Sequence, residues 1–375
     1  MDKQLPRRSA WVEIDNSILK NNFKYFGQDR PELLNFLSVV KDDAYGHGAT
    51  SVAKVATSHG ARYFGVTNIT EAEELRKAGI KRPILMFGAL RQEERELCWE
   101  LNLTPTIHSS ADIIEFQKVA IRRQKQIKVH VEVETGMGRY GIRWDKAADL
   151  FKNFEAFDEI AIEGIYTHFA MSDEQDKSFA MEQLSRFKSV LNYLEEQEFE
   201  IPLKHSCNSG GFLDIPPAHF DMVRVGILPL GVFPSKVCRR ISGIKPVMSV
   251  RAQLAIVREI KKGDNVGYGL RFTAPQNMRI GVIPLGYGDG YPRVRSSGHV
   301  LIHGKEASII GGNAMDTTIV SLDNIPEAEQ WDEITLMGHQ GNKSISAHDI
   351  AKLKGTVSYE VLTGWRARLP RLFVN

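Results

Sequence analysis

Phe36-Leu37-Ser38-Val39-Val40-Lys41 is a short apolar run ending on a lysine, and Asp42-Asp43-Ala44-Tyr45-Gly46-His47-Gly48 follows it at once as a polar turn. A run of this length bounded by turn residues reads as a buried strand. The same unit of apolar run, polar turn and helical pattern recurs: Tyr63 to Thr67, Pro83 to Phe87, Leu103 to Ile107, Ile127 to Val133, Ala161 to His168, Leu203 to Asn208 and Met222 to Gly226. Eight strands alternating with helices predict a parallel (β/α)8 barrel of the TIM type.

Helix punctuation supports that reading. Between the second and third runs, Thr70 and Glu73 fit a capping box, Leu75 and Ala78 give an apolar face, and Gly79 can end the helix. An earlier helix is expected after Asp15, with Ile18, Leu19, Asn22, Phe23 and Phe26 at helical spacing. Beyond about residue 240 the texture changes to alternating runs, Val250 to Val257, Arg279 to Pro284, Val300 to His303 and Ile334 to Met337, with glycine turns at Gly263, Gly298 and Gly304. The expected organisation is therefore a barrel over 1–240 and a β-rich domain over 241–375.

Composition narrows the function classes. The 375 residues, 42% hydrophobic and 25% charged, are those of a globular chain, long enough for two cores. Its 48 basic and 46 acidic side chains leave +2, too balanced for the one-signed field that nucleic-acid binding uses. Cys98, Cys207 and Cys238 lie far apart, without metal-ligand spacing, so no metal is expected and a reducing compartment is. Neither a signal peptide nor an apolar stretch of the ~20 residues a membrane span needs is present, which points to a cytoplasmic protein.

In such a barrel the C-terminal strand ends face the active site. Those ends carry Lys41, then Glu132, Glu134 and Arg139, then His168, then Asn208-Ser209-Gly210-Gly211, then Arg224-Val225-Gly226-Ile227. A guanidinium inside the eighth run needs acceptors to offset its desolvation, which favours a functional Arg224. Ser209 can donate through its hydroxyl and Gly226 and Ile227 through backbone N–H groups, at the barrel's habitual phosphate site. An anion site, a strand-end lysine suited to a Schiff base and a buried arginine together describe a pocket for pyridoxal 5′-phosphate.

These residues resemble the alanine racemase family over nearly the whole chain. Val39-Val40-Lys41 with Ala44 to Gly48 is similar to its cofactor-lysine motif, and Thr135-Gly136-Met137-Gly138-Arg139 with Gly141 to its arginine motif. Gly267-Tyr268-Gly269, Gly286 to Tyr291, Met315-Asp316, Tyr359-Glu360 and Arg368 to Arg371 also fit. The resemblance implies interconversion of L- and D-alanine by two bases, Lys41 on one face of Cα and Tyr268 on the other, in a homodimer with shared sites. It implies phosphate contacts from Tyr45, Ser209, Gly226, Ile227 and Tyr359, with Asn208 beside them. It also implies Arg224 at the pyridine nitrogen in a hydrogen-bonded chain with His168, and substrate contacts from Arg139, Tyr287 and the backbone of Met315.

The chain departs from the family pattern at Asp42-Asp43, Gly312-Asn313-Ala314, Val225 and Leu230-Gly231, which opens the alternative of a broad-specificity or serine-preferring racemase. A basic amino-acid decarboxylase or a non-catalytic pyridoxal-phosphate carrier fits less well, because Arg224 stands where the former uses a carboxylate and the latter lacks a domain with Tyr268. Glu132 stands where many family members have a modified lysine. Alternation puts it on one face with Glu134, and the expected partner of a charge there is Arg139.

Overall fold

Eight strands lie side by side in the order Met222–Val225, Asn35–Val39, Tyr63–Val66, Ile84–Met86, Thr104–Ile107, Ile127–Glu134, Ile160–Tyr166, Leu203–His205, every pairing parallel. Asp221 N–H donates to Lys204 O (3.0 Å) and Arg224 N–H to Cys207 O (2.8 Å), bringing the ring round on itself. This computed structural model describes residues 6–152 and 157–374. All eight expected strands are present, each in an expected run.

Alternation along the fifth barrel strand explains the interior. Val129, Val131 and Val133 pack outward with Phe116 and Val119 of helix Ser110–Arg123 and Phe187 and Val190 of helix Ser178–Glu196. His130 and Glu132 consequently turn inward and are buried. An apolar outer face and a polar lining are thus written into one strand, and the outer face supplies about 1.5–3 kcal/mol per fully buried side chain. At Gly164 of the next strand a Cβ would stand 2.5 Å from the His130 ring, so that position must be glycine.

The early helix spans Asn16–Asp29 as expected. The helix between the second and third barrel strands begins earlier than expected, at Ile69, because Asn68 accepts the Glu71 N–H (3.0 Å) and Glu71 reaches back to the Thr67 N–H (2.8 Å). Asn68 is therefore the cap, not Thr70.

The chain divides into two units, Lys20–Ile244 and Met1–Leu19 with Lys245–Asn375, which corrects the expected boundary. Strand Ala10–Asp15 pairs antiparallel with Met248–Gln253 and parallel with Arg371–Val374. Trp11, Val12 and Ile14 are buried there, so strand Ala10–Asp15 belongs to the β-rich unit and not to the barrel. Its larger sheet runs Lys305–Ser308, His299–Ile302, Glu333–Gln340, Met248–Gln253, Ala10–Asp15, Arg371–Val374. The expected run Val250 to Val257 is two strands: Leu254 N–H turns to Asp332 O and Ala255 N–H to Val282 O, sending Ile256–Ile260 into a separate three-stranded sheet. Among the described residues no helix is long and apolar enough to cross a membrane.

Candidate active site

Lys41 follows the first barrel strand, and the four residues after it form a left-handed turn. Asp42, Asp43, Ala44 and Tyr45 all have φ of 52–53°, a conformation costing roughly 1–2 kcal/mol per residue. Near and distant hydrogen bonds hold it. Glu71 accepts the Asp42 N–H (2.9 Å), Asp43 accepts the Ala49 N–H through its carboxylate (2.8 Å), and Tyr45 O accepts from His47 Nδ1 (2.9 Å). Burial, and then Arg139, hold the Lys41 amine below the usual lysine range, against the opposing charges of Glu71 and Asp42. Asp42, which is exposed, opposes that fall without reversing it, and Asp43 is spent on the next helix.

Arg224 is buried on the eighth strand and donates to Nδ1 of His205 (2.9 Å), Nδ1 of His168 (3.2 Å) and the carbonyls of Thr167 (2.7 Å), Ser206 (3.1 Å) and His205 (3.2 Å). A guanidinium only donates, so this network assigns both Nδ1 atoms as acceptors and their protons to Nε2. His205 Nε2–H then donates to His130 Nδ1 (2.9 Å), and His130 also carries its proton on Nε2. Three imidazoles are neutral by this count, and the sequence-expected pair Arg224 and His168 is brought together.

Burial drives His130 down to about 3, and burial with Arg224 holds His168 and His205 well below the imidazole range. The unfolded chain takes up protons on these histidines near pH 6.5 and the native chain does not. Stability is therefore fully present above about pH 6.5 and lost as pH falls below it, by up to about 1.4 kcal/mol per pH unit for each histidine. Urea unfolding at a series of pH values from 7.5 to 5 should give a falling midpoint, less steep in His130→Asn; a flat profile would contradict the neutral assignment.

At the seventh and eighth strand ends, Ser209 Oγ accepts the Gly226 N–H (3.2 Å). A Cβ on Gly226 would lie 2.5 Å from Tyr45 Oη, so glycine there keeps a cradle open beside a buried phenol. Ile227 is buried next to it. Asn208 is spent structurally: its Oδ1 caps helix Ser209–Asp214 through the Gly211 N–H (2.9 Å) and accepts from Ser172 Oγ (2.7 Å). Lys41 with a depressed amine, Arg224 with neutral partners and the Tyr45, Ser209, Gly226 cradle fit a phosphorylated aromatic aldehyde.

The expected Glu132–Arg139 pair is absent. Glu132 is buried, accepts from Tyr166 Oη (3.2 Å) and lies 3.2 Å from His108 Nδ1. Arg139 is exposed and, among the described residues, makes no ion pair. Their strand and loop diverge after Thr135, where Glu134 turns to accept the Met137 N–H (2.6 Å).

In the β-rich unit, Tyr268 opens a 3-10 turn between Gly267 and Gly269, both at positive φ, and its side chain is 69% exposed. That is too exposed for a core role. Tyr287 begins the turn Tyr287–Asp289, and the next N–H, of Gly288, donates to Met315 O (2.7 Å), bringing two expected substrate-binding residues together. Asp289 anchors this turn: fully buried, it accepts from Arg8 Nη1 (2.7 Å), Arg368 Nε (2.9 Å) and Gly286 N–H (2.9 Å). Tyr359 lies half-buried on helix Ser358–Thr363 of the same unit.

Residues 14–234 match the family model "Alanine racemase, N-terminal domain" and residues 247–373 the model "Alanine racemase, C-terminal domain". The chain belongs to the alanine racemase family. An alanine racemase of Halothermothrix orenii is 37% identical over 376 residues, spanning 100% of this chain and 99% of that protein. One of Methanococcus maripaludis is 36% identical over 97% and 98% of the two chains. The solved alanine racemase of Clostridium difficile has a TM-score of 0.92 at 30% identity, covering 99% of this chain and 97% of its own. That of Streptomyces lavendulae has 0.93 at 29%, covering 99% and 98%.

Four residues of this alanine racemase family member escape motif reading: the part-buried Glu71 and the buried His130, Tyr166 and His205. Period-two alternation could have found Tyr166, which shares a strand face with His168, and His130, which shares one with Glu132. Glu71 acts across a helix start on a turn 29 residues away, and no local pattern announces it.

Proposed function

We propose that this chain is a pyridoxal-5′-phosphate-dependent racemase interconverting L- and D-alanine. The observation that carries the reading is Arg224: a buried cation bonded to two neutral imidazoles, in the same barrel mouth as an amine held below its usual range. Lys41 would hold the cofactor through its amine, Arg224 would face the pyridine nitrogen, and Tyr45, Ser209, the N–H groups of Gly226 and Ile227, and Tyr359 would hold the phosphate. When bound, the cofactor supplies an electron-withdrawing ring that acidifies the substrate's Cα–H. A guanidinium gives up its proton poorly, so Arg224 restrains that withdrawal and limits transamination.

The chain's own groups move the protons. Lys41 Nζ takes or returns a proton on one face of Cα, and Tyr268 Oη serves the opposite face, since inversion needs removal on one side and return on the other. Arg139, Tyr287 and the Met315 backbone orient the substrate carboxylate. The reading includes a homodimer in which each barrel receives Tyr268 from the other chain. It also includes a cytoplasmic location, suited to three buried free cysteines.

The test offers purified protein L-alanine, L-serine, L-lysine and L-arginine, followed by chiral separation. D-alanine should form fastest, with serine lower by roughly tenfold or more. A faster serine, lysine or arginine reaction would move the assignment to a broad-specificity racemase. Release of carbon dioxide and an amine would replace it with a decarboxylase.

A further inference from the structure

Among the described residues every direct partner of Arg224 is uncharged, yet a guanidinium sealed from water calls for a compensating anion. Tyr166 connects it to one. Its ring lies 5.0 Å from the guanidinium carbon and stacks on His205 at 4.9 Å. Its hydroxyl donates to Glu132 Oε2 (3.2 Å), leaving the Thr106 hydroxyl, also 3.2 Å away, to donate in turn to the phenolic oxygen. Glu132, Tyr166 and Arg224 are 5%, 2% and 3% exposed, so water screens little of the charge between them.

We propose that Glu132 is the counter-charge of Arg224, acting through Tyr166, and that the three form one positioning unit. A phenol donating to a carboxylate is polarised toward its ring, which strengthens the ring face as a seat for a cation. Glu132 and Tyr166 also oppose the fall that burial imposes on the Arg224 pKa. The competing partner of Glu132 is His108, with Nδ1 at 3.2 Å and its ring stacked on Tyr140 at 4.9 Å. Only as an imidazolium would His108 take up the charge. The unit rests on the racemase reading solely where Arg224 is said to face the cofactor; the charge coupling stands on the protein alone.

The test is a double-mutant cycle on the full chain. Glu132→Gln keeps the shape and removes the charge, so in the wild-type background it should lower the urea midpoint and weaken cofactor binding by about tenfold, the size of one buried charge contact. In Arg224→Met the same change should leave the midpoint unaltered or raise it, because the carboxylate has lost its cation. Tyr166→Phe keeps the ring, severs the link, and should reproduce most of the Glu132→Gln effect. The pH at which bound-cofactor absorbance changes should move in Glu132→Gln and in Tyr166→Phe together, a readout that loss of packing would leave in place.

Equal effects of Glu132→Gln in both Arg224 backgrounds would overturn the proposal. So would cancellation by His108→Gln instead, which would assign Glu132 to His108. Should Arg224→Met fail to fold, the Glu132→Gln, Tyr166→Phe cycle decides: non-additive losses support the unit and additive losses sink it. Unfolding is read without cofactor or substrate, so its failure is separate from failure of the racemase reading, which the amino-acid panel addresses.

Discussion

Lys41→Ala should abolish racemisation, with turnover lower by on the order of 10³–10⁴, because one side chain is both the covalent anchor and a base. The physical ground is the amine itself: burial and Arg139 disfavour its charged form, so more of it is neutral and nucleophilic near neutral pH than for an exposed lysine. Lys41→Arg keeps length and charge but cannot be deprotonated, so it should fail equally, which separates chemistry from loss of a positive charge. Borohydride treatment of the wild-type protein with pyridoxal phosphate should leave a stable adduct on the peptide carrying Lys41. An adduct recovered on another lysine would end the assignment.

The barrel was legible because eight apolar runs of strand length each end in turn residues, and that periodicity is local. What was not legible is what depends on distant partners. Strand Ala10–Asp15 is as apolar as a barrel strand, and only its pairing with Met248–Gln253 and Arg371–Val374 assigns it to the other unit. The break at Leu254 is likewise a choice of hydrogen-bond partner, Asp332 on one side and Val282 on the other, invisible in an unbroken alternating run. Local chemistry misled once, at Thr70, where a plausible capping box lost to Asn68 two residues upstream.

The site follows the same division. Lys41, Arg224 and the Ser209, Gly226 cradle announce themselves as polar or small residues at strand ends, where a barrel concentrates function. The left-handed turn Asp42–Tyr45 does not, since two of its four residues, Ala44 and Tyr45, carry no preference for positive φ and even aspartate seldom adopts it in a row. Alternation marks Glu132 as an inward charge needing a partner, and the nearest arginine in sequence is Arg139. Arg139 departs with its loop, whereas Tyr166 faces Glu132 across paired strands. Register decided the contact.

Mixing Lys41→Ala and Tyr268→Phe chains should restore activity that neither has alone. The β-rich unit carries Tyr268 on a glycine-flanked turn with 69% of the side chain exposed, an unusual position for a residue that must enter a water-excluded site unless another surface receives it. Tyr268→Phe retains the ring and loses only the ionisable hydroxyl, so alone it should cost on the order of 10²–10⁴ in turnover. With each barrel completed by the other chain, a mixed dimer has one site in which both bases are native. Random reassociation of equal amounts makes half the dimers mixed, so about a quarter of all sites become competent in a symmetric dimer. Activity near that fraction of wild type, measured after co-refolding and compared with each mutant refolded alone, is the expected result. Mixtures as inactive as the separate mutants, with a mixed dimer confirmed by native mass spectrometry, would place both bases in one chain and refute the shared site.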